Sequence, residues 1–344
     1  MITFKNDYSD GGHPKVLKAL LEYAETSQPG YGDDEYTAQA RKRIQEVCES
    51  PDSLVRFVSG GTQANLIVIA SILRPHEAVI SASSGHINMH EAGAIEATGH
   101  KVDIIDSPSG KLTPELVDIA YKRWEDCHTV KAKLVYISNT TELGTVYSKK
   151  ELQDLSAYCR KNDLYLFMDG ARLASALCAE GNELTLADIA ELTDIFYIGG
   201  TKNGALFGEA IVITNPALQE YFDHHIKQRG ALLSKGRALG VQFLTLFQDD
   251  LYFEIGRHEN SMAQKLAKGI QAAGYEFLTP PVSNQIFPIL PKPVIENLEK
   301  QFKFYVWEPV DEATSAIRLV SSWVTQESEV ARFISAIKAP HKTQ

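Results

Sequence analysis

The sequence predicts an α/β chain: a doubly wound, mostly parallel sheet in a large domain spanning 1–245, then a smaller α+β domain spanning 246–344. Three observations carry this. Short apolar, β-branched runs alternate with helical stretches between Val55 and Ile213, the pattern of strand–helix–strand units. Glycine, histidine, aspartate and lysine recur at the ends of those runs, where open α/β sheets hold their ligands. Past residue 245 the order changes to one long helix, several short strands and a final helix.

The first segment, residues 1–13, is polar and extended. Pro14 suits the first turn of a helix through Val16, Leu17, Leu20 and Leu21. The stretch Gln28 to Tyr36 reads as a loop from its Pro, Gly and Asp content, and a helix with Ile44 and Val47 on one face follows. Val55–Ser59 is a strand running into Gly60-Gly61-Thr62 and the apolar helix Leu66–Leu73. Strand, glycine turn and helix start can cradle a phosphate on free N–H groups at the positive end of a helix dipole, or form a plain turn. The spacing matches neither GxxxxGK[ST] nor GxGxxG.

Ala78–Ala82 and Lys101–Ile105 are further strands, with a helix opening between them at Gly85-His86. His86, beside a strand end, either stacks on an aromatic ligand or is an ordinary satisfied polar residue. Thr113 caps a helix with Pro114 at its first position. Strand Leu134–Ser138 leads into the polar loop Asn139–Thr145 and a helix from Lys149 to Lys161. Strand Tyr165–Met168 delivers Asp169, with Arg172 three residues on. The interval to Lys202 has room for one helix and one strand.

That strand, Phe196-Tyr197-Ile198-Gly199, ends in Gly200-Thr201-Lys202. A lysine at the end of a buried strand loses hydration, its pKa falls, and its neutral amine becomes a nucleophile suited to Schiff-base chemistry with a carbonyl. The plainer alternative is a surface lysine. Gly60 to Thr62, His86, Asp169 and Lys202 share one address, the strand ends, and this favours the chemical reading. Residues 207–213 form one more strand, and helical segments carry the basic run Lys227 to Arg237, either a phosphate partner or a solvated face. The helix Tyr252–Ala273 precedes strands at Gln285–Leu290, Phe304–Trp307 and Ala316–Val320, and a last helix runs from Glu327 to Ile337. Arg318 in its apolar strand needs an anion, either an internal carboxylate or a ligand's.

The whole chain has 344 residues, 44% hydrophobic and 23% charged, with a net charge of −10 and a pI near 5.5. No basic field exists for nucleic acid or an anionic membrane, so the partner is a small molecule. Cys48, Cys127, Cys159 and Cys178 form neither a CxxC pair nor a zinc cluster. They read as reduced thiols of a cytoplasmic protein, and no metal is expected. The first residues have no signal-peptide pattern, and the longest apolar run is far below the ~20 residues that span a bilayer.

Taken together, Asn6-Asp7, Gly32-Asp33-Asp34 with Tyr36, Ser59-Gly60-Gly61-Thr62, Gly85-His86-Ile87 with Glu91-Ala92-Gly93, Asp169-Gly170-Ala171-Arg172, Thr201-Lys202 and Ile317-Arg318-Leu319-Val320 resemble the threonine aldolase branch of the β-eliminating lyases. These are pyridoxal phosphate (PLP) enzymes of fold type I, the aspartate aminotransferase fold. The resemblance implies a retro-aldol cleavage of a β-hydroxy-α-amino acid, of L-threonine or L-allo-threonine type, to glycine and an aldehyde. It implies that Lys202 bonds the cofactor, Asp169 pairs with its ring nitrogen, and His86 stacks on the ring. Gly61 and Thr62 would hold its phosphate, Arg172 the ring oxygen or the substrate carboxylate, and Asn6 and Arg318 that carboxylate. Tyr36, Arg229 and Lys235 would reach a second subunit's site, which implies a homodimer or homotetramer with shared active sites. In one place the chain departs from the family: a histidine expected in the loop after Ser138 is Thr141, beside Glu142. Threonine is no general base near neutral pH, so His86 or a water it orients takes that role, or the chain is a lyase for a different amino acid.

Overall fold

The computed structural model describes residues 1–123 and 126–338; the end of the expected terminal domain, 339–344, lies outside the described residues. Seven strands form the main sheet in the order Leu54–Val58, Glu209–Ile213, Ile195–Gly199, Tyr165–Asp169, Lys131–Ser138, Glu77–Ala82, Lys101–Ile105. Glu209–Ile213 runs antiparallel to both its neighbours, and the other pairings are parallel. A mixed, mostly parallel sheet results, as the alternating pattern predicts. Helices cover both faces, so the central strands are apolar on both sides; every residue of Ile195–Gly199 and Glu209–Ile213 is buried.

Several helices begin where the chain supplies its own cap. Ser148 and Glu151 form a reciprocal capping box on Lys149–Lys161. Asp34 is buried and accepts from the Thr37 N–H at 2.8 Å, starting the helix Glu35–Val47 inside a stretch the composition marks as loop. The cap outweighs the local Gly and Asp content, and Tyr36 consequently lies in a first helical turn. Two helices, Leu173–Leu177 and Leu186–Leu192, separate Asp169 from the next strand, where the interval suggested one. The helix opening at His86 is a single turn, His86–Met89, because Ala92 and Gly93 take positive φ just beyond it.

The long helix Leu251–Gln271 leads into a second, antiparallel sheet of Ile289–Pro291, Thr314–Val320 and Tyr305–Pro309, with Gln285–Ile286 also paired to Thr314–Val320. The expected strand Gln285–Leu290 is therefore two short ones. A helix at Lys292–Glu299, buried through Val294, Ile295 and Leu298, lies between these strands. The first residues of the chain belong to this second core. Ile2–Thr3 pairs in parallel with Phe302–Lys303. Phe4 packs edge-on against Phe333 at 5.6 Å, and Phe302 lies 5.0 Å from the same ring. From there the chain crosses to the ends of the main strands.

Phe333 is fully buried in that aromatic triad. Phe333→Ala is expected to destabilise the protein by about 3–5 kcal/mol, the usual loss for a truncated core aromatic, measured as a fall in the denaturant midpoint.

Candidate active site

Two cavities meet at Lys202. The inner one, about 350 Å³, lies off the strand ends and is lined by Ser59 to Thr62, Asp169, Tyr197, Thr201 and Glu209. The outer one, about 400 Å³, is lined by Arg172, Arg318, His90, Tyr305 and Trp307. Lys202, His86, Glu142 and Tyr8 line both.

Lys202 is delivered by the turn after Ile195–Gly199. Gly200 is required there: a Cβ would stand 2.8 Å from the Gly208 carbonyl oxygen and 2.9 Å from the Phe243 ring. Burial and the Arg172 charge push the lysine pKa down, against the pull of Asp7, Glu142 and Asp169. A larger share of neutral amine is thus available than for a lysine in water.

Asp169 ends its own strand, buried beneath the cavity. Its Oδ1 accepts from the Tyr197 hydroxyl at 2.5 Å and the Ala171 N–H at 3.0 Å. Its Oδ2 accepts from the Tyr136 hydroxyl at 2.6 Å and from Asn65 Nδ2 at 3.1 Å. Burial alone would raise the carboxyl's pKa; the nearby His86 and these donors reverse that, and the net shift is downward. The inner wall therefore holds a fixed carboxylate. Beside it the helix Gly61–Ile72 begins at Gly60 without a side-chain cap, and Gly60, Gly61 and Thr62 line the cavity, so the uncapped helix start lies at its wall.

His86 is half-buried, with Nδ1 2.8 Å from Glu91 Oε1. Burial pulls its pKa down, but Glu91, Glu142 and Asp169 outweigh this and the net shift is upward. Asn65 ties the two acids together by donating to Glu91 at 2.6 Å as well as to Asp169. His90, one turn on, stands 5.5 Å from the His86 ring, and burial moves its pKa downward.

In the outer cavity the Arg318 guanidinium lies over the rings of Tyr305 and Trp307, at 4.9 and 5.1 Å. Its Nε is buried without a hydrogen-bond partner. Burial, then the Arg172 charge, draws its pKa down, which marks a cation short of an anion. Arg172 is committed elsewhere. Its Nε and Nη2 donate to Asp7 at 2.7 and 3.0 Å in a buried, bidentate pair, and Asn284 Nδ2 donates to the same carboxylate at 2.9 Å.

The structure thus gathers Lys202, Asp169, His86, Gly61, Thr62, Arg172 and Arg318 around the joined cavities. Asn6 does not line either one; its side-chain oxygen accepts from the Tyr8 N–H at 3.2 Å, and the adjacent Asp7 turns inward instead. Tyr36 packs on Tyr23 with ring centroids 4.1 Å apart, and Lys235 lines a separate groove that also contains Tyr23. Arg229 donates to Gln228 at 2.8 Å on another face. Within this one chain none of the three touches the Lys202 cavities. Thr141 is buried, its hydroxyl 2.7 Å from that of Thr145, which closes the turn of its own loop. Its neighbour Glu142 is the loop residue that lines both cavities. His90 and Glu209 carry no sequence signal that singles them out, and Asp7 and Glu142 enter the sequence reading only as neighbours of Asn6 and Thr141.

The donor set fits pyridoxal phosphate. A low-pKa lysine, a fixed carboxylate below it, an uncapped helix start and an unpaired arginine are the groups that cofactor and an amino acid's carboxylate require. Among the described residues no group of three or more His, Cys, Asp or Glu side chains could hold a metal ion. No described helix is long and apolar enough to cross a membrane.

The family model described as beta-eliminating lyase matches residues 7–291. A low specificity L-threonine aldolase from Pseudomonas aeruginosa is 34% identical over 97% of this chain and 96% of its own length. A Pseudomonas sp. enzyme of the same name is also 34% identical, over 98% and 97%. Among solved structures, a threonine aldolase from Leishmania major superposes with a TM-score of 0.97, at 51% identity, over 98% of this chain and 99% of that one. A Thermus thermophilus aspartate aminotransferase, 17% identical, superposes with a TM-score of 0.72 over 98% and 91%, and so shares the fold. Fold and family are those of enzymes that depend on pyridoxal phosphate. The chain is a lyase of the β-eliminating lyase family and fold type I.

Proposed function

We propose that the protein is a PLP-dependent aldolase that cleaves L-threonine, L-allo-threonine and related β-hydroxy-α-amino acids to glycine and an aldehyde. The observation that carries this reading is that Lys202 and Asp169 line one cavity, while Lys202 also lines the cavity holding Arg318. The named relatives act on L-threonine and support the substrate class.

Pyridoxal phosphate, when bound, supplies an electron-withdrawing ring that accepts the pair released from the Cα–Cβ bond. The chain's own groups do the rest. Lys202 would offer its neutral amine to the cofactor's carbonyl. Asp169, kept ionised by Tyr136, Tyr197 and Asn65, would pair with the ring nitrogen. Gly61 and Thr62 would offer backbone N–H groups to the phosphate, and His86 would pack on the ring. Arg318 would take the substrate carboxylate, with the remaining edge of Arg172 beside it, and so orient the bonds at Cα. Asn6 acts on that clamp indirectly, through the turn that carries Asp7.

The β-hydroxyl proton needs an acceptor on the outer side. Thr141 is spent on its own turn. His86, or a water between it and Glu142, takes the proton; His90 stands at the same wall. Tyr36, Arg229 and Lys235 lie away from this chain's site; in a homodimer or homotetramer with shared active sites they would serve a neighbouring subunit. Exposed Leu17, Leu21 and Leu206 give such an assembly apolar surface to cover. Four cysteines without a disulfide fit the cytoplasm.

Incubating the PLP-loaded protein with L-threonine, L-allo-threonine and phenylserine should release glycine and the matching aldehyde. Ammonia with a keto acid would instead assign β-elimination, and glycine from none of them would remove the aldolase reading. Lys202→Ala is expected to abolish the visible absorbance band of the cofactor bound to that lysine, read by spectrophotometry. Asp169→Asn is expected to lower kcat by about 100-fold or more, since a preorganised charge at the ring is lost. Arg318→Ala is expected to lower kcat/KM by about 10- to 100-fold, mostly through KM, the equivalent of one charge-assisted contact to the carboxylate.

A further inference from the structure

Glu209 is a buried carboxyl in the wall of the inner cavity, 4% exposed. It opens the one antiparallel strand of the main sheet and lies in register between Gly199 and Val58, the last residues of the strands that deliver Lys202 and the phosphate cradle. Its two oxygens hold the turn carrying Lys202: Oε2 accepts from the Gly200 N–H at 3.0 Å and Oε1 from the Thr201 hydroxyl at 2.8 Å. The Thr201 oxygen in turn accepts from the Gly208 N–H at 3.0 Å and lies 3.4 Å from the Gly208 carbonyl. A protonated Glu209 would keep these partners: it would donate to Thr201, whose hydroxyl would turn toward the Gly208 carbonyl, an oxygen that already accepts from the Gly200 and Thr201 N–H groups at 3.0 and 3.1 Å.

The wall this carboxyl occupies is the one assigned above to a phosphate. Three acids, Asp169, Glu142 and Glu209, line the inner cavity, and the side chains there able to carry positive charge are Lys202 and His86. Asp169 is fixed as an anion by its donors, so a phosphate dianion beside an ionised Glu209 would add like charge to a buried site already rich in it. The groups facing Glu209 from the surrounding elements are Lys202, Asp169, Tyr197 and, from the long helix, Tyr252. Lys202 opposes the proton, as do the Thr201 and Gly200 donors.

We propose that Glu209 is a positioning residue that takes up a proton when a phosphate-bearing pyridoxal binds, and thereafter holds the Lys202 turn as a neutral acid. Burial already lifts its pKa to about 7, against the pull of Thr201, Lys202 and Gly200, so the proton is within reach near neutrality. The proton comes from the buffer acid, which is left as its conjugate base, and stays on the carboxyl as a new O–H bond.

The inference rests on the PLP reading, and its test separates the two. Titration calorimetry with pyridoxal phosphate, in buffers of different ionisation enthalpy, should show about one more proton taken up at pH 8 by the wild type than by Glu209→Gln. The dissociation constant of the wild type relative to the variant should rise by up to about tenfold per pH unit above 7, because a bound proton must be supplied from an increasingly poor source. A ratio constant from pH 6 to 9, with equal proton uptake, would overturn the proposal while leaving the cofactor assignment standing. Failure of the wild type to bind pyridoxal phosphate at all would overturn both. Should the variant not fold, the infrared difference spectrum of the wild type carries the test. A protonated-carboxyl band must grow on adding pyridoxal phosphate and not on adding pyridoxal; its absence refutes the proposal.

Discussion

The arrangement depends first on the buried pair of Asp7 and Arg172. Three distant stretches meet there: the arm at residue 7, the turn after the Asp169 strand, and Asn284 from the approach to the second sheet. A buried guanidinium without this carboxylate would be strongly destabilising, and so would the carboxylate alone. The pair also lowers the Lys202 pKa from one side, through Arg172, and raises it from the other, through Asp7. One ion pair thus ties the second core to the first and sets the field in which the amine works.

A second constraint is the division of labour between the two cavities. Inner groups are held by short bonds from buried donors, and Asp169 is surrounded by four of them. In the outer cavity Arg172 is spent on Asp7, but Arg318 is left wanting. Arg318 has two aromatic faces but no anion for its Nε. The contrast is what a site needs if one occupant is to be held rigidly and another is to be exchanged. Lys202 belongs to both because its chemistry joins both.

Much of this was legible in the chain. Lys202, Asp169, His86 and Gly61 sit at strand ends whose apolar runs are unmistakable, and open α/β sheets use that rim. Arg318 betrayed itself as a charge inside a β-branched run. What the pattern could not carry was position set by tertiary contact. Asp7 and Glu209 are single acids beside polar or glycine-rich turns, and nothing local distinguishes them from surface residues until the arm folds across and the antiparallel strand closes the sheet. Glu142 looked subordinate to Thr141, yet the turn closed by Thr141 and Thr145 is what leaves Glu142 lining the cavity. The helix Lys292–Glu299 had its signal, with apolar residues at 294, 295 and 298, but two nearby prolines masked it. Its second proline sits in the first turn, where no N–H is needed.

The pairing of Ile2–Thr3 with Phe302–Lys303, and of Phe4 with Phe333, also bears on how the molecule comes into being. On the ribosome the opening residues emerge first, yet their partners are made roughly 300 residues later. The arm cannot take its native place until Phe302 and Lys303 have been made. Closing so long a loop is slow and entropically opposed, so this pairing is a late contact of folding. Because Asp7 rides on that arm, the pairing of Ile2–Thr3 with Phe302–Lys303 also brings the counter-charge for Arg172 to its place.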